Sequence, residues 1–427
     1  MEVPSRARAV IIGGGVIGCS IAYHLGKLGW RDVVLLERKQ LTCGTTWHAA
    51  GLIAQLRATQ NMTRLAKYSQ ELYFGLEAET GVATGIKRNG SMTVALTDER
   101  MEELRRTAAM ARAFGVEIDE ITPSEIASRY PGLKTDDAVG GVFLPKDGQA
   151  DPVNITQALA RGARNFGVKI IQGVKVTDIH QADGRVTGVM TDQGPVEADF
   201  VVNAGGMWAR EIGAKAGVSV PLHACEHFYI VTEGIAGLTP DLPVLRVPDE
   251  CAYYKEDAGK ILLGAFEPNS KPWGMNGIPE DFEFDSLPED FDHFEPFWSV
   301  RSNVCRIWQQ PVSRHSSMVR KVSLPMIAIF LARHPSLIIS LLLPGSIRWV
   351  SSRRAGPAWC LRNGWIQAMH RLICGMLISA GCSLSSQTAA ISKRACRKRW
   401  VFCMPIIFPI ARSRQRAMCA SHQSMTG

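Results

Sequence analysis

The stretch Ala9–Gly18, AVIIGGGVIG, joins four consecutive apolar residues to a glycine turn. Such a run followed by glycines reads as a buried strand leading into a tight turn, and Val16 to Leu28 then reads as a helix that stops at Gly29. Val33 to Leu36 forms a second buried strand, closed by Glu37. The reading is a βαβ unit at the start of the chain. Gly13, Gly15 and Gly18 stand in the spacing GxGxxG, and Glu37 follows Gly18 by 19 residues. This arrangement suits a dinucleotide: a tight turn, close backbone approach to a pyrophosphate at a positive helix N-terminus, and a carboxylate for ribose hydroxyls. The competing reading is a glycine turn used only for packing. The pattern does not choose between FAD and NAD.

Outward from this unit, helical spacing from Asn61 to Glu79 ends at Gly81, and Ser91 to Leu96 reads as a strand before a helix over Asp98 to Phe114. Thr122, Pro123 and Glu125 form a capping box with proline at the first helical position. Asn154 to Phe166 is expected as a helix and Val168 to Gln172 as a strand. Val174–Ile179 and Val186–Thr191 read as a hairpin, and Asp199–Asn203 as another buried strand ending in Ala204, Gly205 and Gly206. Phe228–Thr232, Ala252–Lys255 and Ile261–Phe266 suggest a β-rich second domain.

Composition is that of a globular protein, with 46% apolar and 21% charged residues over 427 positions. The net charge of +8 is unevenly spread: residues 1–300 carry 29 Lys and Arg against all 40 Asp and Glu, whereas residues 301–427 carry 19 Lys and Arg and no carboxylate. A folded segment of that length without an acid departs from ordinary usage. Seven of the 11 cysteines lie there too (Cys305, Cys360, Cys374, Cys382, Cys396, Cys403, Cys419), while Cys19, Cys43, Cys225 and Cys251 are scattered and read as reduced thiols. None forms a metal-ligand spacing, so no metal is expected. With no signal peptide and with Leu324–Leu343 broken by Arg333, His334 and Pro335, the expectation is a cytoplasmic protein without a membrane span.

Leu41–Leu52, LTCGTTWHAAGL, resembles the sarcosine and dimethylglycine dehydrogenase branch of the D-amino-acid-oxidase-like flavoproteins. The match runs from about Ala7 to Pro296. The resemblance implies an α/β fold, with a Rossmann-like FAD-binding domain over 1–90 and 150–218 and a β-rich substrate domain over 91–149 and 219–296. It implies FAD attached covalently through His48, where a lone histidine would otherwise read as a hydrogen-bonded loop residue. Cofactor contacts are then expected from Gly13, Gly15, Val16, Ile17, Gly18, Glu37, Arg38, Thr45, Thr46, Trp47, Gly51 and Leu52. DFVVNAGGMWAR, Asp199–Arg210, is similar to the family's second flavin-contacting strand and turn, adding Ala204, Gly205 and Trp208, and Val174 would lie near the adenine.

Oxidation of a methylated amine removes a hydride equivalent from the carbon beside a deprotonated nitrogen, so a nearby base is useful. His227, in PLHACEHFYIVT, matches the family's catalytic histidine. Tyr253 or Tyr254, in CAYYKED, matches the tyrosine beside it, and strand alternation lets only one of the two face a flavin. The bland alternatives are a satisfied core histidine and two packing tyrosines. The implied partners are an N-methyl amine and an electron acceptor, oxygen or an electron-transfer flavoprotein, with neither nucleic acid nor membrane. The tetrahydrofolate domain of longer relatives is absent from the sequence as given.

The family's glycine-rich return segment does not appear after Pro296. SIRWVSSRRAGPAW at Ser346–Trp359 and RNGW at Arg362–Trp365 resemble that region read one base out of phase. Residues 297–427 are therefore read as a frameshifted tail, disordered or misfolded, with the shift between Pro296 and Ser302. A basic nucleic-acid arm at Lys393–Arg399 and a cysteine-rich metal module lack supporting spacing. Three function classes follow: a flavin-dependent amine oxidoreductase, a catalytically dead or regulatory relative, and an NAD-dependent dehydrogenase, the last opposed by the WHAAG motif.

Overall fold

The structure is a computed structural model that describes residues 2–266, 268, 269, 271–290, 292–294, 329–333, 337–339 and 347–351. The chain divides into two compact units, Met1–Gly381 and Cys382–Gly427, and every described residue lies in the first.

The first strand, β1 (Arg6–Ile12), runs parallel to β2 (Val33–Glu37) on one side and to Gly194–Asn203 on the other, with Ile12 opposite both Leu36 and Asn203. All three strands therefore end at one edge, and the turns that follow them gather there. Lys169–Gln172 continues the sheet beyond β2. The hairpin Val176–Ala182 and Arg185–Thr191 joins it antiparallel through Gly194–Thr191 pairing. This pairing lengthens the strand expected only from Asp199. Leu337–Ile339 pairs parallel with Val201–Asn203, and Ile329–Arg333 and Ile347–Ser351 complete a nine-stranded sheet. These three strands are the described part of the segment read as out of frame; residues 352–427, with SRRAGPAW, RNGW and the Lys393–Arg399 run, lie outside the described residues.

Strand alternation sorts the sheet's two faces. Ala9, Ile11, Val33 and Leu35 pack under α1 (Val16–Lys27) and the helix Pro152–Asn165, together with Ala22, Tyr23, Ala158 and Leu159. Val10, Ile12, Val34 and Leu36 face the hairpin, Met207 and Phe282. Each fully buried aliphatic side chain here contributes on the order of 1.5–3 kcal/mol.

A seven-stranded sheet runs in the order Tyr229–Val231, Lys260–Ala265, Ala252–Asp257, Val244–Val247, Ser91–Ala95, Gly140–Leu144, Asp119–Ile121. The last two strands and Val244–Val247 escape a sequence reading because glycine and short length hide them, and their partners are distant in the chain. The helix Asp98–Ala113 covers one face, and the other encloses Met92, Phe228, Leu245, Tyr254 and Leu263. Helix ends follow local chemistry: Thr59 caps Gln60–Thr80, Gly81 closes it with φ 70°, and Thr122 and Glu125 form the expected capping box. Among the described residues no helix is long and apolar enough to cross a membrane.

Candidate cofactor and active site

The glycine turn is built from backbone crossing backbone. Gly13 has φ 109°, and a Cβ there would stand 2.4 Å from the Ala204 carbonyl oxygen. A Cβ at Gly18 would stand 1.8 Å from the Gly13 oxygen. Only glycine lets α1 start this close to the turn. The loop after β2 supplies what α1 lacks: Gly15 offers no side-chain cap, and the Val16 amide donates to Thr46 Oγ1 at 3.0 Å. Thr46, expected at the cofactor, therefore satisfies the helix N-terminus.

Glu37 is 7% exposed and turns inward. Its Oε2 accepts from the Gly14 amide at 2.6 Å and its Oε1 from the Lys39 amide at 2.9 Å. Burial raises its pKa, and these donors and Arg38 oppose that rise. The carboxylate thereby holds the glycine turn. Val174 is buried, and its amide donates to the Glu37 backbone carbonyl oxygen at 2.9 Å. Arg38 stacks on the Trp208 ring with its guanidinium carbon 4.0 Å from the ring centroid. Gly205 is placed by its amide donating to Asn203 Oδ1 at 3.1 Å.

His48 lies at 0% exposure beside Trp47, ring centroids 4.6 Å apart. Neither of its ring nitrogens has a hydrogen-bond partner among the described residues, and the same holds for Thr45 Oγ1 and Trp208 Nε1. Burial pushes the His48 pKa down to about 4, against a smaller opposing effect of Asp285. Buried polar atoms without partners are uncommon in native proteins, and four of them on residues expected at the cofactor fit a polar, ring-bearing ligand. Beyond His48, Gly51 (φ 75°) turns the chain into the short strand Leu52–Ile53, which pairs with Gly148–Gln149. The cysteine thiols nearby are inert: burial pushes both Cys19 and Cys43 up to about 12.

A second grouping stands on the seven-stranded sheet. His227 and Tyr253 have ring centroids 6.5 Å apart and planes 23° apart, and Phe266 lies 5.8 Å from His227. Tyr254 points to the other face, into the core, with its hydroxyl 3.5 Å from Glu250 Oε2. The alternation that admits one tyrosine thus selects Tyr253 as the neighbour of His227. Room for its ring comes from the cross-strand partner Gly264.

Sequence reasoning missed Arg246 and Arg57. Arg246 is the register partner of Tyr253, and its guanidinium carbon lies 5.2 Å from the Phe266 ring centroid. Solvent reaches its side chain, yet surrounding protein lowers its pKa, a combination typical of a group lining a cleft. Arg57 has its pKa lowered first by burial and then by the positive charge of Arg246. Asp147 is the acid that influences both, and it is already engaged by Ser91 Oγ at 2.6 Å and the Gln55 amide at 2.9 Å. Among the described residues Asp147 is thus the carboxylate acting on both guanidiniums. An arginine between buried Leu245 and Val247 was the signal available in the sequence.

Comparisons with known proteins agree with this architecture. Residues 8–323 match the family described as DAO, FAD dependent oxidoreductase. The chain is 39% identical over 302 residues to the mitochondrial pyruvate dehydrogenase phosphatase regulatory subunit of Mus musculus, covering 70% of this chain and 34% of that one. It is 40% identical over 294 residues to the formaldehyde-forming 4-methylaminobutanoate oxidase of Paenarthrobacter nicotinovorans, covering 69% and 36%. It is 38% identical over 298 residues to the mitochondrial sarcosine dehydrogenase of Mus musculus, covering 68% and 32%. The chain thus spans about a third of the length of these curated relatives. Among solved structures, L-proline dehydrogenase from P. horikoshii superposes with a TM-score of 0.69 at 23% identity, covering 79% of this chain and 88% of that one. With the family match spanning most of the sequence, the chain belongs to the DAO family of FAD-dependent oxidoreductases.

Proposed function

We propose that this protein oxidises an N-methylated amino acid of the sarcosine, dimethylglycine or methylaminobutanoate type, with FAD held covalently through His48. The observation that carries the reading is the grouping of His227, Tyr253 and Phe266 with Arg246, whose charge in turn reaches Arg57. The positive charge of Arg246 suits the carboxylate of an amino-acid substrate, and charge-assisted bonds from guanidinium to carboxylate are among the stronger polar contacts. His227 is positioned to take the substrate ammonium proton, because imidazole exchanges protons near neutrality. Tyr253 orients the amine.

The glycine turn, Glu37, Thr45, Trp208 and Val174 would hold the dinucleotide, and His48, kept neutral by burial, is suited to carry the link. When bound, the flavin supplies the two-electron acceptor for the amine. On this reading the cofactor domain comprises residues 1–90 and 150–218 and the substrate domain residues 91–149 and 219–296. Electrons leave to oxygen or to an electron-transfer flavoprotein, in the cytoplasm.

The likeness to a phosphatase regulatory subunit supports a second reading, a relative that keeps the fold without catalysis. Flavin fluorescence that stays with acid-precipitated protein, together with formaldehyde release from sarcosine or dimethylglycine, supports the enzyme. Colourless protein supports the regulatory reading. The absence of acids after residue 300 further supports a shifted reading frame beyond Pro296. Resequencing the codons for residues 290–310 tests it: a missing or extra base restores a glycine-rich segment, whereas an intact frame ends that proposal.

A further inference from the structure

We propose that the segment Pro279–Leu287 is a gate over the cofactor cleft, latched by Arg38, which must open before a flavin dinucleotide can reach His48. The inference rests on the cofactor reading above and adds a route of entry to it.

The segment lies across the residues expected to touch the cofactor. Arg38 donates from Nη1 to the Glu280 carbonyl oxygen at 2.6 Å and from Nη2 to the Phe282 carbonyl oxygen at 2.8 Å, while stacking on Trp208. The Phe284 amide donates to the Cys43 carbonyl oxygen at 3.0 Å. Phe282, 5% exposed, packs with its ring centroid 5.0 Å from Trp273 and 6.4 Å from His48. Phe284 meets Trp47 edge-on at 5.8 Å. Phe282 thus lies against His48 and Phe284 against its neighbour Trp47, and His48 is buried with both its nitrogens unbonded among the described residues.

What holds the segment is limited and reversible. Pro279–Leu287 forms no helix or strand. Its ion pairs, Lys39 with Glu283 at 3.7 Å and Lys175 with Glu280 at 2.6 Å, are partly solvated and contribute little. Phe284 has φ 48°, a conformation unfavourable for a bulky side chain, so opening relieves strain. The two unbonded nitrogens of His48, against which Phe282 packs, favour a ligand that can satisfy them. Arg38 acts through the segment and is a positioning residue.

The chain contains its own lock for a test. Because the residue 284 amide bonds to the residue 43 carbonyl, Phe284→Cys brings a second thiol near native Cys43, and a disulfide between the two is the lock. The full-length Phe284→Cys variant, produced under flavin depletion so that it never acquires the cofactor, is treated with a thiol oxidant or with reductant and then mixed with FAD. Flavin retained after desalting is followed by fluorescence, with wild type as control. Expected is uptake slower by about tenfold or more in the oxidised variant, since access scales with the open population, and no effect of oxidant on wild type. Equal uptake by the oxidised variant, with its 43–284 disulfide verified by mass, overturns the gate. Uptake by neither wild type nor reduced variant overturns the cofactor reading, and the gate with it. A second measurement needs no flavin: Arg38→Met should speed hydrogen exchange at the Phe284 amide, and unchanged exchange overturns the latch.

Discussion

Tyr253 fills the space that a side chain at Gly264 would need: a Cβ on Gly264 would stand 2.0 Å from Tyr253 Cζ. The two are cross-strand partners, so the glycine sets where the tyrosine ring can lie beside His227. Gly264→Ala should displace that ring and lower kcat by about 10- to 100-fold, at a stability cost of about 1–3 kcal/mol. In combination with Tyr253→Phe the losses should fall short of additive, because both act on one ring. Steady-state kinetics of the two single variants and the double variant provide the check.

The two tyrosines should separate cleanly. Tyr253→Phe is expected to reduce kcat by about 10- to 100-fold, whereas Tyr254→Phe, facing the core with a 3.5 Å contact to Glu250, should leave kcat nearly unchanged and cost under about 1 kcal/mol. A rate loss confined to Tyr254→Phe would reverse their roles.

Arg246 and Arg57 oppose each other in the free protein and should cooperate on an anion. Arg246→Met is expected to raise KM for a carboxylate-bearing amine by roughly 10- to 30-fold, consistent with about 1.5–2 kcal/mol for a hydrogen bond to a charged group. The same change should leave stability equal or improve it by about 0.5–1 kcal/mol, because a cation under strain from its neighbour is removed. Thermal unfolding and kinetics on one preparation test both halves.

Gly18→Ala places a methyl 1.8 Å from the Gly13 oxygen and should destabilise by roughly 3 kcal/mol or more with loss of flavin. Gly75→Ala, within the helix Gln60–Thr80 and with no atom within 4 Å of its Cβ, should stabilise by about 0.5–1 kcal/mol. Denaturant titration of the two variants gives opposite signs if the turn is as tight as described.

His48 makes the flavin-free protein acid-sensitive. Its pKa falls from 6.5 to about 4 on folding, so the unfolded chain binds the proton more tightly and stability is lost as pH falls from about 6.5 to about 4. The loss is on the order of 3 kcal/mol. His48→Leu should flatten this part of the stability curve relative to wild type. Urea midpoints at pH 7 and pH 4.5 read the difference, and equal slopes for both proteins would contradict a buried neutral His48.

The sequence was most legible where one local rule suffices. Apolar runs and glycines located β1, α1 and β2, and Thr122 with Glu125 announced its helix, since these signals depend on neighbours a few residues away. Asp119–Ile121 and Gly140–Leu144 were not legible, because their strand character comes from pairing with each other and with Ser91–Ala95. Within the site, motif resemblance picked out His48, His227 and the pair of tyrosines. It could not show that Thr46 caps α1 or that Glu37 binds the Gly14 amide.

By itself, then, the sequence determined the dinucleotide turn, its acid and the histidine after it, because strand, turn and helix there are contiguous and each residue's task is local. Only the tertiary structure decided that Tyr253 rather than Tyr254 meets His227, that Arg57 and Arg246 share one acid, and that Arg38 holds residues 280 and 282 over His48. Those relationships join residues up to 244 positions apart, and their partners are fixed by sheet register and side-chain packing rather than by spacing along the chain.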